Sequence, residues 1–204
     1  MYKRQAPHTG QKTGAFLDQR ENRVLAGSIA KGSALDVFSY HGSFALHLAR
    51  NAADVTAVDS SAEALERASE NVALNGFKNV SLVQADAFEF LREREKAGAR
   101  YGTIVLDPPA FAKNKASLEG AMRGYRDVNL HAMRLLETGG LLFTASCSYH
   151  VSKALFLEML QEAAAAAGRR MILRRITTQP LDHPEVITIP ETGYLKGALL
   201  EAAD

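Results

Sequence analysis

Five times along the chain a short apolar run gives way to a longer segment of helical periodicity, and that alternation restricts the fold more than any other feature. The runs are residues 33–38, 55–59, 80–84, 101–106 and 141–145, and the segments after them end near residues 50, 74, 97, 136 and 167. Strands in series with helices form a mainly parallel sheet covered on both faces, because each crossover lays a helix against the sheet. Two further strands are expected over residues 171–177 and 198–201, with a proline-containing polar stretch between them. A short helix over 18–30 precedes the first strand, with Asp18 as its cap and Glu21 making the reciprocal contact.

The 204 residues fit one domain with a substantial core. A formal charge of +1, from 24 basic and 23 acidic residues, neither demands nor excludes nucleic acid, since a local basic patch suffices to bind a phosphate backbone. Cys147 is the only cysteine, which excludes an intrachain disulfide framework and suits a reducing compartment. With no apolar run near twenty residues and no signal-peptide pattern, a cytoplasmic protein without membrane or metal partners is expected. Residues 1–11 lack apolar periodicity and are expected to be an irregular segment or the edge of a longer protein, leaving one domain over 12–204.

The first strands carry a nucleotide-site pattern. Asp36 lies near the end of the first strand, Gly42 closes the turn after it, and Asp59 ends the second strand. Gly42 would let backbone approach a ligand, and Asp59 would accept both ribose hydroxyls. Asp86, after the third strand, is placed to read an adenine amino group. The three-glycine pyrophosphate fingerprint is absent, which favours an adenosyl ligand such as S-adenosylmethionine over a dinucleotide. The plainer alternative makes Gly42 a tight turn and Asp59 a helix cap.

The fourth and fifth strands end in chemistry of a different kind. Asp107-Pro108-Pro109 sets a carboxylate before a rigid segment, suited to the amino edge of a planar base, and Phe111 would stack on that base. Cys147 should lie beside this motif; a thiolate there would attack C6 of a pyrimidine and make C5 nucleophilic toward a methyl donor. Asp107 and Phe111 also read as a plain strand end over a core ring, and a lone cysteine as a small buried hydrophobe. His150 is either a phosphate contact or thiol neighbour, or an ordinary helix-start residue. Lys113, Lys115, Arg123, Tyr125 and Arg126 occupy an insertion after the fourth strand and would clamp RNA backbone, or else form a solvated loop. Gln19 and Arg20 are candidates to reach the carboxylate of the methionine moiety.

From Lys12 onward the chain resembles the catalytic domain of the bacterial 23S rRNA 5-methylcytosine methyltransferases of the large-subunit methyltransferase I type. The resemblance rests on Lys12-Thr13-Gly14-Ala15-Phe16-Leu17-Asp18-Gln19-Arg20, on Leu35-Asp36-Val37-Phe38-Ser39-Tyr40-His41-Gly42, on residues 106–113, on Ser146-Cys147-Ser148-Tyr149-His150, and on residues 190–197. It implies a Rossmann-like S-adenosylmethionine-dependent methyltransferase fold and methyl transfer to cytosine C5 in large-subunit ribosomal RNA. It makes Cys147 the nucleophile and Asp107 the base-orienting acid. Phe16, Phe38, Ser39, Tyr40, Asp36, Asp59, Asp86 and Asp107 become cofactor positions, and Pro108 and Pro109 substrate positions. Related enzymes with two cysteines place one where this chain has Pro109, so Cys147 would work alone. The resemblance further implies 23S ribosomal RNA as partner, allows a homodimer, and leads us to expect an N-terminal RNA-binding domain that this sequence lacks. Exocyclic-amine or uridine-C5 methylation, or a non-catalytic RNA-binding fragment, are the competing readings.

Overall fold

A computed structural model describes residues 2–3, 15–112 and 115–204. The expected boundary between residues 11 and 12 lies outside the described residues.

Seven strands form one sheet in the order β3-β2-β1-β4-β5-β7-β6. They are β1 (Ser33–Val37), β2 (Asp54–Asp59), β3 (Val80–Gln84), β4 (Tyr101–Leu106), β5 (Leu136–Ser146), β6 (Met171–Thr177) and β7 (Lys196–Ala202). The first five run parallel, while β7 is antiparallel to both β5 and β6. The mainly parallel α/β reading therefore holds, with one reversed strand between β5 and the edge. The helices are α1 (Arg20–Ile29), α2 (Ser43–Leu48), α3 (Ala62–Leu74), α4 (Ala87–Lys96), α5 (Leu118–Leu135) and α6 (Lys153–Ala167).

Strand β4 is buried along its whole length, and β1 everywhere but its first residue. Their continuous apolar sequences follow from helices packing on both faces. Leu35, Val37, Ile104 and Leu106 join the cluster under α4, α5 and α6, whereas Ala34 and Val105 join the one under α1 and α2. Successive strand residues point to opposite faces, so each strand serves both clusters.

Two differences from the sequence reading matter for function. The helix expected to begin near residue 126 begins at Leu118, after a 3-10 turn over Lys115–Ser117, so most of the supposed insertion is helix. Gly120, Gly124 and the charges around them disguise its first turns. Burial of Ala121, Tyr125, Val128, Ala132 and Met133 on one face carries it. The other difference is Asp18. It sits in a 3-10 turn (Leu17–Gln19) and caps no helix; it is buried and accepts a 2.8 Å hydrogen bond from the Tyr194 hydroxyl.

Candidate active site

The strand order reverses between β1 and β4, and ligands of open α/β sheets bind outside the carboxyl ends of strands at such a point. A cleft of about 330 Å³ opens there. Its walls come from Phe16, Gln19 and Arg23, from residues 38–41 after β1, from Asp59, Ser60 and Ser61 after β2, from Asp107, Pro108 and Pro109 after β4, and from Cys147 after β5.

The turn after β1 is tightly wound. Phe38, Tyr40 and Gly42 have φ of 65°, 50° and 78°, and for the two residues with side chains such backbone costs on the order of 1–3 kcal/mol each. Hydrogen bonds to β2 offset that strain: Ser39 N–H donates to Val58 O at 3.0 Å and Tyr40 N–H to Asp59 Oδ2 at 2.8 Å. Asp59 Oδ1 accepts from Ser61 N–H at 2.9 Å, so this carboxylate ties the two strand-end loops together. Asp36 lies beneath the turn, fully buried, with Oδ2 accepting the Ala45 N–H at 2.8 Å. Burial pushes the Asp36 carboxyl well above its ordinary range, nearby Asp107 and Asp59 push the same way, and the Ala45 hydrogen bond and Arg23 oppose them. Its position makes Asp36 an anchor for the turn and keeps it out of the cleft lining.

On the opposite wall, Asp107 follows β4 and accepts a 2.7 Å hydrogen bond at Oδ1 from Gln19 Nε2. Gln19 Oε1 in turn accepts from Asn22 Nδ2 at 2.6 Å. The chain Asn22–Gln19–Asp107 fixes the carboxylate's angle. Gln19 was expected to serve the methionine carboxylate, yet its amide is turned to the acid of the base edge. Arg23, 4% exposed, donates to Phe16 O and lies over the Phe44 ring. Burial lowers the proton affinity of this guanidinium, and Asp107, Asp18 and Asp36 counter that pull.

Cys147 is half-buried in the cleft with Sγ 4.0 Å from Pro108 O, which places the thiol against the base-edge motif as the strand order required. The next residue, Ser148, is held from several sides. Its Oγ accepts from Ala112 N–H at 3.2 Å and shares a 2.9 Å hydrogen bond with the Tyr125 hydroxyl, and its carbonyl accepts from Lys196 Nζ at 2.6 Å.

Several expected contacts fall elsewhere. Tyr125 is fully buried on α5 and braces Ser148, so it is no RNA clamp; burial raises its hydroxyl pKa. Phe111 packs against Phe38, Phe88 and Tyr125 and is absent from the cleft lining, which corrects its placement as a stacking ring. Arg123 and Arg126 lie on α5, paired with Glu119 and with Glu162, and Arg20 pairs with Asp182 at 2.7 Å. None of the three lines the cleft. Asp86 caps α4, accepting from Phe88 and Glu89 N–H through Oδ1, and, one strand beyond Asp59, is not among the residues that line the cleft. His150 stacks edgewise on the exposed Tyr149 beside Cys147. Lys113 lies outside the described residues, as does the side chain of Lys115. Sequence reasoning missed Arg23, Tyr194 and Lys196 as parts of the site. Arg23 lies inside a short amphipathic helix where nothing local marks it as buried, and the other two follow the stretch where strand periodicity fades.

A doubly wound sheet with its cleft at the strand-order switch, polar turns on one wall and an acid and a thiol on the other, places the chain in the class of Rossmann-like transferases. The chain belongs to the methyltransferase-domain family, whose family model it matches over residues 30–184. It is 45% identical over 92% of its length to the ribosomal RNA large subunit methyltransferase I of Shewanella amazonensis, covering 48% of that protein. To the protein of that name from Aeromonas hydrophila it is 42% identical over 95% of its length, covering 50% of that sequence. The chain thus spans about half the length of these relatives. Among solved structures, SMU.776 in complex with SAH matches with a TM-score of 0.84 at 22% identity, over 98% of this chain and 58% of that one. NSun6 from Pyrococcus horikoshii matches with a TM-score of 0.65 at 21% identity, over 89% and 52% of the two chains. These structural likenesses establish the fold. Among the described residues no helix is long and apolar enough to cross a membrane, and no cluster of metal-ligating side chains is found.

Proposed function

We propose that this domain transfers a methyl group from S-adenosylmethionine to C5 of a cytosine in large-subunit ribosomal RNA, through a covalent adduct at Cys147. The observation that carries the reading is the placement of Asp107 and Cys147 in one cleft, on adjacent strands, beside the turn that suits an adenosyl ligand. The strong likeness to ribosomal RNA large subunit methyltransferase I proteins supports the RNA substrate.

The residues present fit the cofactor. Ser39 lines the cleft, is 6% exposed, and among the described residues its Oγ meets no hydrogen-bond partner, which leaves it available to a polar ligand group. Asp59 stands at the end of β2, where ribose hydroxyls are accepted, and Asp86 marks the adenine end one strand further out. Phe16 and Tyr40, in edge-to-face contact at 5.6 Å between ring centroids, wall the same side. When bound, S-adenosylmethionine supplies a sulfonium methyl, an electrophile for a nucleophilic carbon.

The chain's own groups prepare that carbon. A cytosine turned out of the RNA enters the cleft. Asp107, oriented by Gln19, accepts from its exocyclic amine, and the Pro108–Pro109 segment meets the same edge; a carboxylate prefers this donor over the carbonyl of uracil. Cys147 Sγ adds to C6, which raises electron density at C5. After methylation, a water molecule takes the C5 proton, its C–H electron pair re-forms the C5–C6 double bond, and the C6–S bond breaks to release the thiolate. His150 and the exposed Tyr149, which follow Cys147 in the chain, are proposed to meet the flanking RNA. The single cysteine suits a reducing compartment such as the cytoplasm.

Incubation with labelled S-adenosylmethionine and unmodified 23S rRNA, followed by nucleoside analysis, tests the reading. Labelled 5-methylcytidine is expected. Labelled methyladenosine or methylguanosine would refute it and assign the Asp107 edge to exocyclic-amine transfer, and labelled 5-methyluridine would refute the base assignment.

A further inference from the structure

Lys196 is the first residue of β7, opposite Ser146 in the β5–β7 register, and is 2% exposed. A lysine so deeply buried normally has a carboxylate partner, because a desolvated ammonium is costly. Here Nζ donates to two neutral carbonyls, that of Ser148 at 2.6 Å and that of Tyr194 at 2.8 Å. Ser148 directly follows Cys147, so the ammonium is tied to the turn that presents the thiol. Burial lowers the Lys196 ammonium to about 8, Lys153 pushes the same way, and Cys147 pulls it back up. The lysine therefore carries its charge near neutral pH.

We propose that Lys196 is a positioning residue for Cys147: its ammonium clamps the Ser148 and Tyr194 carbonyls and fixes a positive charge on the turn that presents the sulfur, so that Cys147 stands as a thiolate. This role rests on the reading of Cys147 as nucleophile. It answers a chemical need, since the thiolate, not the thiol, adds to C6, and cationic neighbours are what favour it. The other charged or titratable groups around the cysteine are Tyr194 ahead of β7, Tyr125 on α5 and Asp107 after β4, with Asp18 behind Tyr194 and Lys153 of α6 acting on Lys196 itself. Lys196 is the lysine bonded to the cysteine's turn.

The test is the rate of iodoacetamide alkylation against pH, read by intact mass, with Cys147 as the only thiol in the chain. The midpoint in the wild-type protein should fall below about 8.5, the value of an ordinary cysteine. Lys196→Met should raise that midpoint by roughly one unit or more, and Lys196→Arg should restore it to near the wild-type value, as a charge effect requires. A purely structural lysine would leave the midpoint unmoved in Lys196→Met, which overturns the proposal. A wild-type midpoint at or above the ordinary value overturns it as well, and that result stands even if Lys196→Met does not fold. Because alkylation needs neither RNA nor cofactor, a thiolate found without methylation would count against the proposed function while leaving this role intact.

Discussion

Replacing Asp59 with asparagine isolates the carboxylate that joins the two strand-end loops. One oxygen accepts from Tyr40 N–H at 2.8 Å and the other from Ser61 N–H at 2.9 Å. Asparagine has a single oxygen, so either orientation of its amide aims an N–H donor at a backbone N–H donor. One bond is lost and the other is no longer charge-assisted. Hydrogen bonds to charged groups contribute about 1.5–3 kcal/mol, and for a domain of this size each kcal/mol moves Tm by roughly 2–4 °C. Asp59→Asn should therefore melt about 3–12 °C below the wild type, followed by circular dichroism. A ribose held by the same carboxylate loses a bond of similar strength, which corresponds to roughly 10- to 100-fold weaker S-adenosylmethionine binding by calorimetry. Affinity within about twofold of wild type would refute the assignment of the ribose to Asp59, since one lost charge-assisted bond exceeds that change.

Gly42→Ala forces an L side chain to φ 78° and sets its Cβ 3.3 Å from that of Ala68; the left-handed backbone alone costs roughly 1–2 kcal/mol, so Tm should fall by about 2–8 °C. An unchanged Tm would show that the turn relaxes. His47 has its pKa lowered to about 4, chiefly by burial, with Lys3, Arg23, Arg50 and the N-terminus adding to the effect. An unfolded histidine titrates near 6.5, so between these values the unfolded chain binds a proton that the folded chain does not. That contribution is complete above about 6.5 and is lost as pH falls toward 4. Urea midpoints at neutral pH and near the lower end of that window should differ less for His47→Gln than for the wild type; equal differences would contradict the assignment. Cys147→Ala should retain cofactor affinity and lose methylation, and a variant that methylates at the wild-type rate would remove the cysteine from the mechanism.

The parallel sheet was legible because each buried strand is a continuous apolar run and each crossover has helical periodicity, signals that local sequence carries. The same holds for Asp59, Asp107 and Cys147, which lie at strand ends where the topology dictates a cleft. What stayed hidden depends on packing across long sequence separations. Tyr125 looked like part of a basic loop because its neighbours are glycine and charge, whereas burial against the Ser148 turn makes it a brace. Phe111 looked available to a base, but Phe38, Phe88 and Tyr125 claim its faces. Gln19 was a candidate for the methionine carboxylate, and only the fold shows its amide turned toward an acid 88 residues away. Lys196 begins β7 two residues before the expected strand, in a stretch whose alternation is broken by glycine. Nothing in the local pattern marks such a lysine as buried.

Trapping with RNA that carries 5-fluorocytidine most directly tests the claim that Cys147 bonds to a cytosine ring. Fluorine at C5 cannot leave as the proton does, so the adduct should persist after methyl transfer. The account predicts a covalent protein–RNA complex that requires S-adenosylmethionine, maps by peptide mass to Cys147 and is absent in Cys147→Ala. Methylation of cytosine at C5 with no such complex, or with a complex that survives loss of Cys147, would contradict it.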